Sequence, residues 1–447
     1  MEKKRFLTRD NKLEEKYLFY CHDIVNFLKK VADLRSETWD DLSMLLQGDT
    51  GQHYTKISIN MVNREELEWE ERVRLPAAGF EFEDLGDISG VNSPHQKKRR
   101  RRSREEGIGG GLQFKDWGPY KMLILAVVRK VEEINFNLQI IFEAISIQSI
   151  PFKLTGDFSF LMPILGLVKG CGSCNPCPFC NIVQTKKGSE QKQWLETNEV
   201  VLRTLGGLYE DYAGWVMDGE KLSSASTQKW NSVCGPPLLP ITESRTYSSY
   251  LLTIVVGGPL HLFLSMNEII DFVEKTLMPS IKQILYHVAG VQVHQYMGKI
   301  GNYQGPEIYK ILQNVHKLEE HMNQDPALML YFHTFKAFKD VSSSIFGTEL
   351  SVRWRESLHI LRDWIRRLNT ILGMPITPKI HILITHVEQW VDIFGRSLGK
   401  EGEQGGKAIH HIWKQLLDSI GEPKETESEP YKKVIMKTLL MINSNHI

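Results

Sequence analysis

The clearest apolar stretch in the chain is Lys121–Val128 (Lys-Met-Leu-Ile-Leu-Ala-Val-Val), apolar on both faces as a central strand is. Phe152–Gly156 predicts another strand and Leu112–Phe114 a short one, while Leu138–Ile147 suits a strand or a helix. Near the N-terminus the pattern changes: Tyr17, Cys21, Ile24, Leu28 and Val31 recur at helical spacing, which predicts a helix over 12–35 and a core position for Cys21. From about Asn267 the helical period dominates. It predicts helices over Ile269–Ile284, Ile308–Met322, Leu328–Phe346 and Val352–Leu372, with Gly301, Gly305, Pro306, Pro326 and Gly347 falling between them. Thr377–Trp390 and Gly406–Leu417 are helical again. Strands, then a long helical block, then terminal helices describe a sheet-centred α/β domain interrupted by a helical insertion.

Charge adds a second layer. The chain has 54 basic and 54 acidic side chains, so only their distribution is informative. Residues 64–87 are acidic, Lys97, Lys98, Arg99, Arg100, Arg101 and Arg102 follow without a break, Arg104 extends them, and Gly107–Gly111 closes the stretch. Opposite charge blocks separated by Gly, Ser and Pro predict an exposed linker. Its basic block suits a nuclear import receptor, hence the nucleus, ahead of contact with the phosphates of DNA, though one segment can do both. Hydrophobic residues make up 42% of the chain, enough for a core. The apolar stretches Ser159–Val168 and Tyr250–Leu264 are short or broken by Pro and Gly, so no membrane span is expected. The opening Met-Glu-Lys-Lys-Arg-Phe-Leu has no long apolar stretch, so secretion is not expected either.

Four of the six cysteines fall in ten residues, at Cys171, Cys174, Cys177 and Cys180. This spacing indicates a metal and a reducing compartment rather than disulfides. Cys177-Pro-Phe-Cys180 can clamp one zinc through two thiolates. An iron–sulfur run would have a longer last interval and a following Pro, where this chain has Asn181. Two further ligands are needed. Cys171 and Cys174 are one source, and His381 and His386, a little over one helical turn apart, are the other. The second choice would staple distant segments through a closed structural zinc site.

Three carboxylates sit where strands end or a helix begins: Asp116 in Phe-Lys-Asp-Trp-Gly-Pro-Tyr-Lys, Asp157 in Lys-Leu-Thr-Gly-Asp-Phe, and Glu403 in Gly-Glu-Gln-Gly-Gly-Lys. Converging on one sheet edge, they would hold two Mg²⁺ or Mn²⁺ ions about 4 Å apart, able to activate water against a phosphodiester.

Together these motifs resemble the RNase H-like DDE/D transposase core, in the group of Transib-type transposases and the V(D)J recombinase catalytic core. The resemblance covers about residues 107–420 and rests on four ordered features. They are Gly156-Asp157 followed by Cys177-x2-Cys180; Pro259-Leu260-His261 with Asn267 at the entry to the helical block; Lys379-x-His381-x4-His386-Val387; and Gly395-x-Ser397-Leu398-Gly399 ahead of Glu403-Gln404. The resemblance implies an RNase H-like mixed sheet with a large α-helical insertion, stapled by zinc on Cys177, Cys180, His381 and His386. It implies Asp116, Asp157 and Glu403 as the catalytic triad, with Glu401 as the fallback for Glu403. The implied activity is DNA strand transfer by two-metal hydrolysis and transesterification, with DNA and a second copy of the chain as partners.

The expected organisation is a helical N-terminal region (1–60), a charged linker (61–111), the first part of the core (112–182), an insertion over 183–372 that is helical from about 267, the last part of the core (373–420), and a C-terminal helix (421–447). Two departures stand out. The interval from Asp116 to Asp157 is short for two strands and a helix, and Lys407 stands where related elements often carry a second acid. The alternatives are a catalytically inactive nuclear DNA-binding scaffold with the same fold, and an unrelated zinc-binding helical interaction protein. His261 suits a core position or the active-site edge, and His410 and His411 a helix surface or phosphate contact. Arg362, Arg366 and Arg367 could line a DNA channel.

Overall fold

A computed structural model describes residues 1–8, 12–51, 54–63, 122–150, 152–169, 174–187, 191–194, 200–243, 245–293, 295–296, 299–323, 325–347, 349–401, 404–421 and 429–445. Leu112–Phe114, Asp116, the basic block Lys97–Arg104, Cys171 and Glu403 lie outside these residues.

The chain is mixed α/β, built on a seven-stranded sheet. Its strands are β1 (Glu2–Leu7), β2 (Leu13–Tyr20), β3 (Leu42–Gly51), β4 (Tyr54–Asn63), β5 (Met122–Arg129), β6 (Lys153–Gly156) and β7 (Val255–Gly257). Their spatial order is β1-β2-β5-β4-β3-β6-β7. Pairing is antiparallel from β1 through to β3, and β6 and β7 then add parallel to β3 and to each other. The hairpin β3–β4 runs in continuous register from Leu42↔Asn63 to Gly51↔Tyr54.

The N-terminal region corrects the sequence expectation: residues 1–60 hold four strands and the helix Ile24–Leu34, which starts at an Asp23 cap rather than near residue 12. The apparent helical stripe runs across a strand–helix junction. Tyr17 lies in β2, Cys21 follows it with its amide bonded to Leu125 O at 2.8 Å, and the helix begins only at Ile24. Leu138–Ile147 resolves mainly into the helix Asn135–Ala144. The Asn137 side chain both accepts from Leu7 N and donates to Leu7 O, each at 2.8 Å, which ties that helix to β1.

Helices cover both faces of the sheet. On one, the helices Ile24–Leu34, Asn135–Ala144 and Phe158–Ile164 join the main core. On the other, Gln404–Ile420 and Glu429–Asn445 close a second cluster containing Phe19, Tyr54, Ile124, Trp413, Tyr431 and Ile435. Asn443 bonds both the amide and the carbonyl of Ile124, at 2.9 and 3.1 Å, just past the end of the β2–β5 pairing at Tyr20↔Ala126. Burying strands on both faces explains the unbroken apolar run of β5.

The helical block follows β7. The predicted helix Ile269–Ile284 is two helices, Met266–Thr276 and Ile281–Ala289, separated at Met278-Pro279. Ile308–Met322 likewise divides into Gly305–Gln313, a 3₁₀ turn and Glu319–Met322. The long pair Pro326–Ile345 and Trp354–Leu372 lies close to expectation. Among the described residues no helix is long and apolar enough to cross a membrane.

Candidate metal centre

Helix Pro378–Phe394 starts at the cap Thr377, with Pro378 at its first position, where a missing amide hydrogen costs nothing. One turn in, it projects His381 and then His386 towards the segment 174–182. Cys177, Cys180, His381 and His386 are all buried, and their ligand atoms lie within 4.8 Å of one another. Cys180 Sγ is 3.3 Å from His381 Nε2, and the two imidazoles meet edge to face at 5.0 Å. Phe179, which precedes Cys180, donates its amide to Cys177 Sγ at 3.4 Å and sets its ring 5.6 Å from that of His386.

The donor set fits a zinc ion. Gln389 Oε1 lies 2.7 Å from His386 Nδ1, so that nitrogen carries the proton and Nε2 keeps its lone pair. His386 Nε2 is buried without a hydrogen-bond partner. A buried acceptor facing two thiols and a second imidazole is costly unless a metal completes it. Thr385 Oγ1 stands 3.5 Å from His381 Nδ1 on the far side of the other ring. Burial pushes the Cys177 thiol well up, and its hydrogen bond to Cys180, followed by the contact with His381, pulls the Cys180 thiol down. Cys174 is half-buried and stands outside this four-residue group.

A second feature lies at the end of the parallel strands. Gly48 of β3 pairs with Gly156 of β6, and Gly156 pairs with Gly257 of β7, so three glycines form a row across the sheet. The row admits aromatic rings against bare backbone. A Cβ on Gly48 would lie within 2.6 Å of three ring carbons of Phe160, and one on Gly156 would lie 2.8 Å from Phe160 Cδ1. Gly156 also adopts φ +147°, which only glycine takes readily. Beside Gly257 packs Phe179, which links the metal centre to the sheet.

The residues that follow the first two glycines are Asp49 and Asp157, placed side by side at the same end of adjacent parallel strands. Asp157 caps the helix Phe158–Ile164: its Oδ1 accepts from Phe160 N at 2.9 Å and from Ser159 Oγ at 2.8 Å. The sequence analysis missed Asp49. The signal was present in Tyr54–Asn63, where Ile57, Ile59 and Met61 alternate with Lys56, Ser58 and Asn60 at strand period. That hairpin places Leu42–Gly51, and with it Asp49, in the centre of the sheet. Helix Gln404–Ile420, immediately after Glu403, packs on β3 and β5 and sets Trp413 against Tyr54 at 5.5 Å.

The arginines of the helix Trp354–Leu372 are engaged locally. Arg362 bonds Glu388 at 2.6 Å and Ile384 O at 2.7 Å, Arg366 lies 4.0 Å from Asp363, and Arg367 stacks over Trp364 at 4.7 Å. His261 is half-buried on the short helix Pro259–Phe263. No protein-family model and no curated protein matches the chain.

Proposed function

We propose that this chain is a divalent-metal-dependent DNA strand-transfer protein with an RNase H-like core. The observation that carries the reading is the pairing of Gly48 with Gly156, which sets Asp49 beside Asp157 at one end of two parallel strands. Strand order supports it as well. Three antiparallel strands, β3, β4 and β5, are followed by β6 and β7 added parallel beside β3, the topology an RNase H-like core would have. Strands β1 and β2 extend that core past β5. The triad is then Asp49, Asp157 and Glu403, with Asp49 taking the role the sequence analysis gave to Asp116. This choice removes the difficulty of the short Asp116–Asp157 interval, because two strands of the core precede residue 64. Brought together, the three carboxylates would hold Mg²⁺ or Mn²⁺, which would activate water and steady the leaving oxygen. The basic block Lys97–Arg102 would serve nuclear import, and changing it to alanine should shift a fluorescent fusion to the cytoplasm; unchanged nuclear accumulation would refute that role.

The capping geometry of Asp157 favours a second reading, a catalytically inactive DNA-binding scaffold in which this carboxylate serves only the helix. Two substitutions separate the readings. Asn caps as well as Asp, so Asp157→Asn should leave stability nearly unchanged, whereas Asp157→Ala should cost about 1 kcal/mol. If the carboxylate holds metal, Mn²⁺-dependent nicking of supercoiled plasmid should disappear in Asp157→Asn and in Asp49→Asn alike. Nicking that survives in Asp157→Asn would defeat the enzyme reading, and absence of nicking in the unaltered protein would favour the scaffold.

A further inference from the structure

Arg203 is 3% exposed, a cation sealed inside the protein next to the metal centre. Burying a guanidinium is costly, and the cost falls as its donors are bonded and its charge is balanced. Nε and Nη2 reach four backbone carbonyls, while Nη1 is buried without a hydrogen-bond partner. Nε donates to Cys177 O and Cys180 O, both at 3.0 Å, and Nη2 donates to Asn175 O at 3.2 Å and Asn231 O at 2.8 Å. Two of those carbonyls belong to the cysteine ligands themselves. The main chain of Arg203 adds to the hold: its amide donates to Phe179 O at 2.8 Å and its carbonyl accepts from Leu251 N at 2.9 Å. Alongside, Asn181 N bonds Val201 O at 3.0 Å, so the segment around 201–203 runs antiparallel to the cysteine turn. Asp211 influences Arg203 through space, its carboxylate being held by Asn231 Nδ2 at 3.2 and 3.0 Å.

We infer that Arg203 is the positioning residue of the metal centre: its planar fork fixes the backbone of the Cys177–Cys180 turn, and its positive charge offsets the thiolates that bind the cation. The inference rests on the zinc reading of the four ligands and extends it to a residue that touches no metal. Lysine could not replace it, because an ammonium offers a point charge rather than a planar fork that spans four carbonyls. Outer partners of this kind alter metal affinity by about 10–100-fold when removed.

The test uses the full chain loaded with zinc or cobalt. Chelator competition should show Arg203→Met binding zinc about 10–100-fold more weakly than the unaltered protein. Arg203→Lys should be weakened too, and the visible cobalt spectrum of both variants should shift as the sulfur ligands move. Asn443→Ala, which loosens β5 far from the centre, serves as a destabilised control and should keep full zinc affinity. If Arg203→Met and Arg203→Lys bind zinc as the unaltered protein does, or weaken no more than Asn443→Ala, the positioning role is overturned. If the unaltered protein binds no zinc, the zinc reading itself fails and takes this inference with it. Should neither arginine variant fold, hydrogen exchange on the unaltered protein decides. Stripping zinc should speed exchange at Asn181, Arg203 and Leu251 together, and unchanged protection at Arg203 and Leu251 would overturn the inference.

Discussion

Gly48→Ala probes the contact that sets the two carboxylate-bearing strands side by side. The added methyl would lie within 2.6 Å of three ring carbons of Phe160, whereas carbon atoms settle at about 3.5–4.0 Å. Phe160 is fully buried, so its ring can yield only by moving its helix or leaving its rotamer. The expected cost is about 3 kcal/mol, the upper part of the range for overpacking. Phe160→Leu alone should cost about 1–2 kcal/mol, since most of the buried volume is kept. The double variant Gly48→Ala/Phe160→Leu should then be more stable than the sum of the two by about 1 kcal/mol or more. Gly156→Ala should behave differently. Its φ of +147° strains any side chain, by about 1–3 kcal/mol, and Phe160→Leu cannot relieve strain in the backbone. Native-state hydrogen exchange at amides of β3 and β6 is the suitable assay, because a chain of this size need not unfold in one step. Tolerance of alanine at position 48 within about 0.5 kcal/mol, or equal rescue of both glycine variants, would refute the reasoning.

Metal analysis of the purified protein should find about one zinc per chain, with Cys177→Ser and His386→Ala each lowering it; full occupancy in His386→Ala would exclude that ligand set. The pair of helices that flanks the centre should respond to pH through Glu388. Burial pushes its carboxyl up, but Arg362 and His359 outweigh this and hold it below the ordinary range. A lowered folded pKa means stability that is present above the ordinary carboxylate range and lost as pH falls through the folded value. Glu388→Gln should therefore cost about 1 kcal/mol at neutral pH, a modest figure for a partly exposed network, and the gap to the unaltered protein should close in acid. A gap that persists unchanged in acid would contradict the assignment.

Much of the helical block was legible in the sequence because its apolar positions recur at one period and its breaks are marked by Gly and Pro. The buried group of two cysteines and two histidines was legible for a different reason: Cys177-x2-Cys180 and His381-x4-His386 are rare pairings whose chemistry needs only one partner each. The strands were harder. Met122–Val128, within the stretch Lys121–Val128, was plain because both faces are buried. β2 was not, because a strand joined to a helix through Cys21 gives apolar residues that happen to fall at helical spacing. Asp49 was lost by the same route, since a region taken as helical hid the alternation in Tyr54–Asn63. Phe160 and Arg203 act through contacts with residues distant in sequence, and no local pattern marks them.

The most direct test of the central claim is to let the metal report its own position. Fe²⁺ substituted for Mg²⁺, with ascorbate and peroxide, generates radicals that cut the polypeptide beside the bound ion. The account predicts cuts near Asp49, Asp157 and Glu403, suppressed by excess Mg²⁺ and abolished in Asp157→Asn while that variant remains folded. Cuts confined to the neighbourhood of Cys177 and His381, or a pattern unchanged by Asp157→Asn, would contradict it.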